Sequence, residues 1–115
     1  MNTLGKEGEE LALRFLKKQG YRIVGKNYRT PFGEIDIIAD DGGVLVFVEV
    51  KTRSGDAFGS PFEAVDRKKR DKIRKVALCY MKRIRKEPPA RFDVLSIDVD
   101  GGQKKIDHIK DAFEV

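Results

Sequence analysis

Hydrophobic residues recur along this chain with two periods, and in one place with none, and each pattern predicts an element. Over residues 3–19, Leu4, Gly8, Leu11, Ala12, Phe15 and Leu16 keep the spacing of one helical face, and Gly20 is placed to stop it. Residues 21–28 (YRIVGKNY) alternate as a strand, and Arg29-Thr30-Pro31-Phe32-Gly33 reads as a turn. From Gly33 to Lys51 the chain runs GEIDIIADDGGVLVFVEVK, two stretches rich in Val, Ile, Leu and Phe around Asp40-Asp41-Gly42-Gly43. Gly-Gly between such stretches signals a two-residue hairpin turn, because both positions accept positive φ. Residues 44–50 are apolar on both faces, as expected of a central strand covered from both sides.

Thr52 to Gly59 is a polar, glycine-containing loop. A helix then starts at Ser60, with Pro61 and Glu63 in capping positions, or at Asp66, and runs to Lys86. Ile73, Val76, Ala77, Tyr80 and Ile84 form its apolar stripe, and Glu87-Pro88-Pro89 ends it. Residues 91–99 (RFDVLSIDV) alternate again, with Phe92, Val94, Ser96 and Asp98 on one face and Asp93, Leu95, Ile97 and Val99 on the other. Gly101-Gly102 turns the chain into an edge strand over residues 104–109. The order α-β-β-β-α-β-β is that of an α/β domain, a mixed central sheet flanked by helices.

Length and composition narrow this picture. At 115 residues, a single domain over 1–115 is expected. Apolar residues at 40% and charged residues at 37% describe a soluble globular protein with a heavily charged surface. No apolar run approaches the roughly 18 residues of a membrane span, and the N-terminus lacks the layout of a signal peptide, so no membrane partner is expected. Cys79, the sole cysteine, has no internal disulfide partner, which suits a reducing cytoplasm. With no histidine near it to activate it, Cys79 reads as packing at the core edge. His108, the single histidine, reads as a surface residue on the last strand. A net charge of +5 favours a polyanionic partner. Residues 66–86 hold eleven of the 24 Lys and Arg against two Asp. That one-sidedness favours a phosphate-binding helix face over a merely solvated one.

The hairpin carries the candidate chemistry. If Gly42 and Gly43 are the loop residues, Asp41 faces Val44, Asp36 faces Glu49, and Glu34 faces Lys51. Asp36 and Glu49 then share a face with Cβ atoms about 5 Å apart. Two carboxylates so close repel unless a positive charge lies between them, and a hard divalent cation is the natural occupant. A salt bridge between Glu34 and Lys51 is the plainer use for that pair. Glu9 falls about 110° from the centre of the first helix's stripe and Glu10 about 150°, so Glu9 borders the packed face and Glu10 points to water. By spacing alone both read as ordinary first-turn acids that complement the helix dipole.

Asp36, a dozen residues and then Glu49-Val50-Lys51 resemble the D…ExK signature of PD-(D/E)XK nucleases, with Ile35 where the signature's name has proline. Gly5-x-x-Gly8-Glu9 with Ala12, Asn27-Tyr28-Arg29, Gly33-Glu34-Ile35-Asp36, Phe47 to Lys51 with Arg53, Gly59-Ser60-Pro61, Lys69, Arg91-Phe92-Asp93 and Ala112-Phe113 follow in order. With this series the chain resembles the YraN family (UPF0102), predicted endonucleases similar to archaeal Holliday-junction resolvases. The resemblance implies a restriction-endonuclease-like fold with Mg²⁺ or Mn²⁺ held by Asp36, Glu49 and the Val50 carbonyl. It places Lys51 beside the attacking water, adds Glu9 as a fourth catalytic polar group, and leaves Glu34 a supporting role beside the lysine. Arg29, Arg53 and Lys69 are then candidate phosphate contacts. Structured or branched DNA is the expected substrate and a homodimer is plausible by analogy. RNA cleavage, or nucleic-acid binding without cleavage, are the alternatives on the same fold.

Overall fold

The computed structural model describes residues 3–54, 66–100 and 102–113. Its elements follow the expected order: α1 (Thr3–Lys18), β1 (Arg22–Thr30), β2 (Gly33–Asp41), β3 (Val44–Ser54), α2 (Arg67–Ile84), β4 (Ala90–Asp100) and β5 (Gln103–Phe113). The strands form one mixed sheet in sequence order, antiparallel throughout except for the parallel pair β3–β4. That parallel step is the one that needs a crossover, and α2 provides it. An α/β fold with helices on the sheet is therefore what the chain adopts.

Local chemistry sets the ends of these elements. Gly20, at φ 93°, closes α1, with Tyr21 N–H donating to Leu16 C=O and Gly20 N–H to Lys17 C=O. Asp66 caps α2, its side chain accepting from Lys69 N–H at 2.8 Å. Of the two starts the sequence allows, Asp66 begins the helix observed; Ser60 lies outside the described residues. Arg85 takes a left-handed conformation, so α2 stops at Ile84, two residues short of the expected Lys86.

Three strands run longer than alternation suggests, because each gains a partner. Arg29 and Thr30 pair with Glu34 and Gly33, which tightens the β1–β2 turn to Pro31-Phe32. Thr52 to Ser54, expected as loop, pair with β4 through Ser54↔Val99. β5 continues past Ile109 to Phe113, which pairs with Phe92.

Each face of the sheet carries its own core. Under α2 lie Ile35, Ile38, Phe47, Phe92 and Val94, with Ile73, Val76 and Ala77 of the helix. Under α1 lie Ile37, Val46, Val48, Leu95 and Ile97, with Ala12 and Leu16. The central strand β3 is thus covered from both sides, and the α2 stripe is as periodicity predicts.

His108 corrects one expectation. It is not a surface residue: its Nε2 lies 2.7 Å from Asp93 Oδ2, and its ring meets Phe15 and Tyr21 edge-on. The Asp93 side chain is fully buried and also accepts from Arg91 Nε (3.0 Å) and Asp111 N–H (3.0 Å). Arg91 further donates to Asp41 at 3.1 Å and to the Tyr21 hydroxyl at 2.5 Å. Burial alone would raise the Asp93 pKa, but His108, the Asp111 N–H and Arg91 outweigh it and hold the carboxyl below its ordinary value. Alternation on β5 could not disclose this, because the burying residues come from α1, from Tyr21 just before β1, and from β4.

Candidate active site

The site forms where the ladder between β2 and β3 stops. The turn is as the sequence predicts: Gly42 and Gly43 take φ 59° and 99°, and Asp41 pairs with Val44. Pairing then proceeds in the expected register only as far as Ile37↔Val48. One more step would set Asp36 against Glu49, and the next would give Val50 the main chain of Ile35. Ile35 keeps its pairing with Tyr28 of β1 on the other side but has no partner in β3, and Val50 N–H is left without a main-chain partner in β2. Asp36 replaces it, its Oδ2 accepting from Val50 N–H at 2.8 Å. A part-buried N–H left unpaired costs roughly 1–3 kcal/mol, so main-chain need holds this carboxylate between the strands. Residues of an antiparallel strand turn N–H and C=O to the same neighbour, so the Val50 carbonyl opens on the same gap.

Packing records the same break. Ile35 and Ile38 belong to the core under α2 while Ile37 belongs to the core under α1. Strict alternation would put Ile35 with Ile37, so the side-chain pattern slips across Asp36. Opposite the slip, β1 holds Asn27 at φ 49°, a conformation that Asn tolerates better than most residues.

Acids gather around this gap from three elements. Glu49 is buried on β3, in the direction of α2. Glu34 lies on β2 and meets Arg29 of β1 at 3.5 Å. Glu9 arrives on α1, which approaches closely because residue 8 is glycine: a Cβ there would lie 2.9 Å from Thr52 Cβ. The helix starts at Thr3, so Glu9 falls in its second turn and is not a first-turn acid. Asn27, with its amide nitrogen turned to the acids as the hydrogen bonds require, donates to Glu9 (3.3 Å) and Glu34 (3.0 Å). No role for Asn27 follows from the sequence alone; its place in the Asn27-Tyr28-Arg29 motif and its tolerance of positive φ are the only signals there.

The consequence is a misplaced proton affinity. Burial, and next the charge of Glu49, push the Asp36 carboxyl up to about 7 from 3.8; the Val50 N–H opposes the rise, and Glu9 and Glu34 add to it. This is a cluster of negative charge that is expensive to leave uncompensated. The chain supplies one cation itself, since Lys69 Nζ of α2 lies 2.6 Å from Glu49 Oε1.

The remaining candidates divide. Lys51, two residues beyond Glu49 and on its face by alternation, is exposed, and no ion pair joins it to Glu34 among the described residues. The expected Glu34–Lys51 bridge fails although the turn is right, because β2 leaves β3 at Asp36 and gives Glu34 to Arg29. Arg53 binds Asp98 through Nε at 3.0 Å and donates to Ser96 Oγ at 3.2 Å, tying β3 to β4. Arg29 is exposed at the far side of Glu34. Among the described residues no three His, Cys, Asp or Glu side chains close around a metal position. An ion here would rest on Asp36, Glu49 and main-chain oxygen, a donor set that suits a hard cation and not zinc.

A sequence profile described as "Uncharacterised protein family UPF0102" matches residues 8–97, which include every candidate site residue from Glu9 to Lys69. A UPF0102 protein of Thermodesulfovibrio yellowstonii is 53% identical over 110 residues, covering 96% of this chain and 95% of the relative. One from Alkaliphilus oremlandii is 49% identical over 113 residues, covering 96% and 97%, and one from Syntrophomonas wolfei is 47% identical over 111 residues, covering 96% of both. No helix among the described residues is long and apolar enough to cross a membrane. The chain belongs to the UPF0102 family.

Proposed function

We propose that this protein is a divalent-metal-dependent endonuclease of the PD-(D/E)XK type that hydrolyses phosphodiester bonds in structured or branched DNA. One observation carries the reading: Asp36, fixed by a main-chain hydrogen bond, is buried among three other acids, and burial first, then the charge of Glu49 with those of Glu9 and Glu34, raise its pKa to about 7. A fold needing only a strand-end hydrogen bond has no use for that charge. Asp36 and Glu49 offer carboxylate oxygens, and Val50 its carbonyl, to Mg²⁺ or Mn²⁺. The bound ion would polarise the scissile phosphate and acidify a water. Lys51, exposed beside Glu49, would orient the attacking water and offset the charge that develops on phosphorus-bound oxygen. Glu9, tied through Asn27 to Glu34, completes the acidic wall. Lys69 can turn from Glu49 to a phosphate, and Arg29 stands exposed for another.

Purified protein incubated with four-way-junction, flap, single-stranded and linear duplex DNA tests this in the presence of Mg²⁺ or Mn²⁺. Cleavage that Asp36→Ala and Lys51→Ala both abolish is the expected result. Absence of such cleavage on every substrate removes the enzyme reading.

The Lys69–Glu49 ion pair favours a second reading, a nucleic-acid-binding module that does not cut, because it balances Glu49 without a metal. That reading predicts salt-dependent binding that survives Asp36→Ala and weakens on charge reversal within Arg67–Lys75.

A further inference from the structure

The β1–β2 turn places an aromatic ring beside cations that lie far from it in the sequence. Phe32 is 50% exposed, one of two large apolar residues left in solvent among the described residues. Nothing about its turn is loose. Phe32 N–H donates to Thr30 Oγ1 at 3.1 Å, and Thr30 Oγ1 to Gly33 C=O at 3.4 Å. Gly33, at φ 147°, lies against α2, where a Cβ on it would come within 3.7 Å of Val76 and 3.9 Å of Lys72. The ring is therefore held out from a rigid seat, and Lys75 Nζ stands 5.8 Å from its centroid.

Lys69, Lys72 and Lys75 follow one another at three-residue spacing, a ridge of α2 about 9 Å long. The first touches Glu49, the second borders Gly33, and the third covers Phe32. Asp36 lies only three residues along β2 from Gly33, or about 10 Å of strand. A polyphosphate backbone laid along this ridge from the acidic site would pass directly beside the ring. An aromatic next to cations is how proteins hold unpaired bases, since a base needs a free face to stack. In a continuous duplex both faces are already covered.

Resting on the nuclease reading above, we infer that Phe32 is a base-stacking residue, and that the nucleic acid taken by this site carries unpaired bases next to the phosphate at Asp36. Lys72 and Lys75 neutralise the backbone on either side of the stacked base. Aromatic and cation lie 43 positions apart in the chain and meet only through the packing of Gly33 on Val76.

The chain contains no tryptophan, so Phe32→Trp creates a single fluorescent reporter at the ring. The full-length variant is titrated in EDTA with an oligodeoxythymidylate, an oligouridylate and a blunt-ended DNA duplex of equal length. Emission quenched by a single strand and not by the duplex is expected, and the tighter of the two single strands identifies the sugar. Phe32→Ala and Phe32→Leu should each weaken single-strand binding roughly 5- to 150-fold, the worth of one stacked base, and leave duplex binding unchanged. Equal quenching by the duplex, parent-like affinity in both variants, or no binding by the parent overturns the inference. EDTA keeps this readout independent of cleavage: an active nuclease with indifferent Phe32 sinks only the stacking claim, and a quenched but inert protein sinks only the nuclease.

Discussion

Asp36→Asn should stabilise the metal-free protein in mild alkali and change it little in acid. The Asp36 carboxyl holds its proton up to about pH 7 in the folded chain, against 3.8 for an ordinary aspartate. With the folded value above the unfolded one, the native state binds the proton more tightly. Stability is therefore lost as pH rises from about 4 through 7, and the full cost is in force above 7. At about 1.4 kcal/mol per pH unit, that cost is roughly 4 kcal/mol. Asparagine keeps the shape and still offers Val50 N–H an oxygen, though a neutral acceptor is weaker than a charged one by about 1 kcal/mol. A net gain of about 3 kcal/mol at about pH 8.5 follows, falling below about 1 kcal/mol near pH 4.5, where the parent is itself largely neutral. Urea unfolding of both proteins in EDTA at the two pH values measures the gain, and titrating groups remote from Asp36 cancel in the difference. A gain equal at both pH values, or an asparagine variant that is less stable at about pH 8.5, would refute the claim that Asp36 is an anion held against its preference. Mg²⁺ should then narrow the gap by stabilising the parent alone, by about 2.7 kcal/mol at a hundredfold excess over Kd.

Gly8→Ala would drive a methyl group against Thr52 Cβ, 2.9 Å from the position it must occupy. A loss of about 1–3 kcal/mol in the urea midpoint is expected, and a parent-like midpoint would mean that α1 does not depend on this approach. Lys51→Ala should leave stability within about 0.5 kcal/mol of the parent, since the side chain is exposed, yet reduce any cleavage at least about a hundredfold. Lost stability would make the lysine structural. Asp93→Asn should cost about 3–5 kcal/mol near neutral pH, because Arg91 keeps its charge and loses its buried partner. Asp93 titrates below its ordinary value when folded. Its contribution is thus complete above about pH 4 and lost as pH falls through the depressed value, and the gap between variant and parent should close in strong acid.

Much of this protein is legible in the order of its residues, and what is hidden is hidden for one physical reason. Periodicity finds the seven elements, and Gly42-Gly43 fixes a register that holds as far as Ile37↔Val48. Turn chemistry, however, propagates only while both strands keep pairing. At Asp36 β2 loses β3 while keeping β1, and the expected Glu34–Lys51 bridge disappears with the ladder. Arg53 escapes for a related reason, since Asp98, which engages it, lies on β4, beyond the α2 crossover; His108 escapes because Phe15 and Tyr21, which cover its ring, come from the start of the chain. Phe32 is the extreme case, a residue that reads as turn filler until α2 brings Lys75 over it.

Asp36 and Asp93 show why the broken ladder is more than an irregularity. Each lies where pairing fails, and each accepts a main-chain N–H that lost its strand partner, Val50 in one case and Asp111 in the other. Burial raises the pKa of both. Around Asp93 the fold supplies Arg91 and His108, and the carboxyl ends below its ordinary value; around Asp36 it supplies Glu49, Glu9 and Glu34, and the carboxyl ends near 7. The same local device is thus fully compensated at one break and only partly, through Lys69 on Glu49, at the other. A sequence that settles a buried aspartate so thoroughly at one ladder break has the means to do so at both. The charge retained at Asp36 is held against stability, as charge is at sites that bind or react, and Asp93 is the internal control that makes this visible.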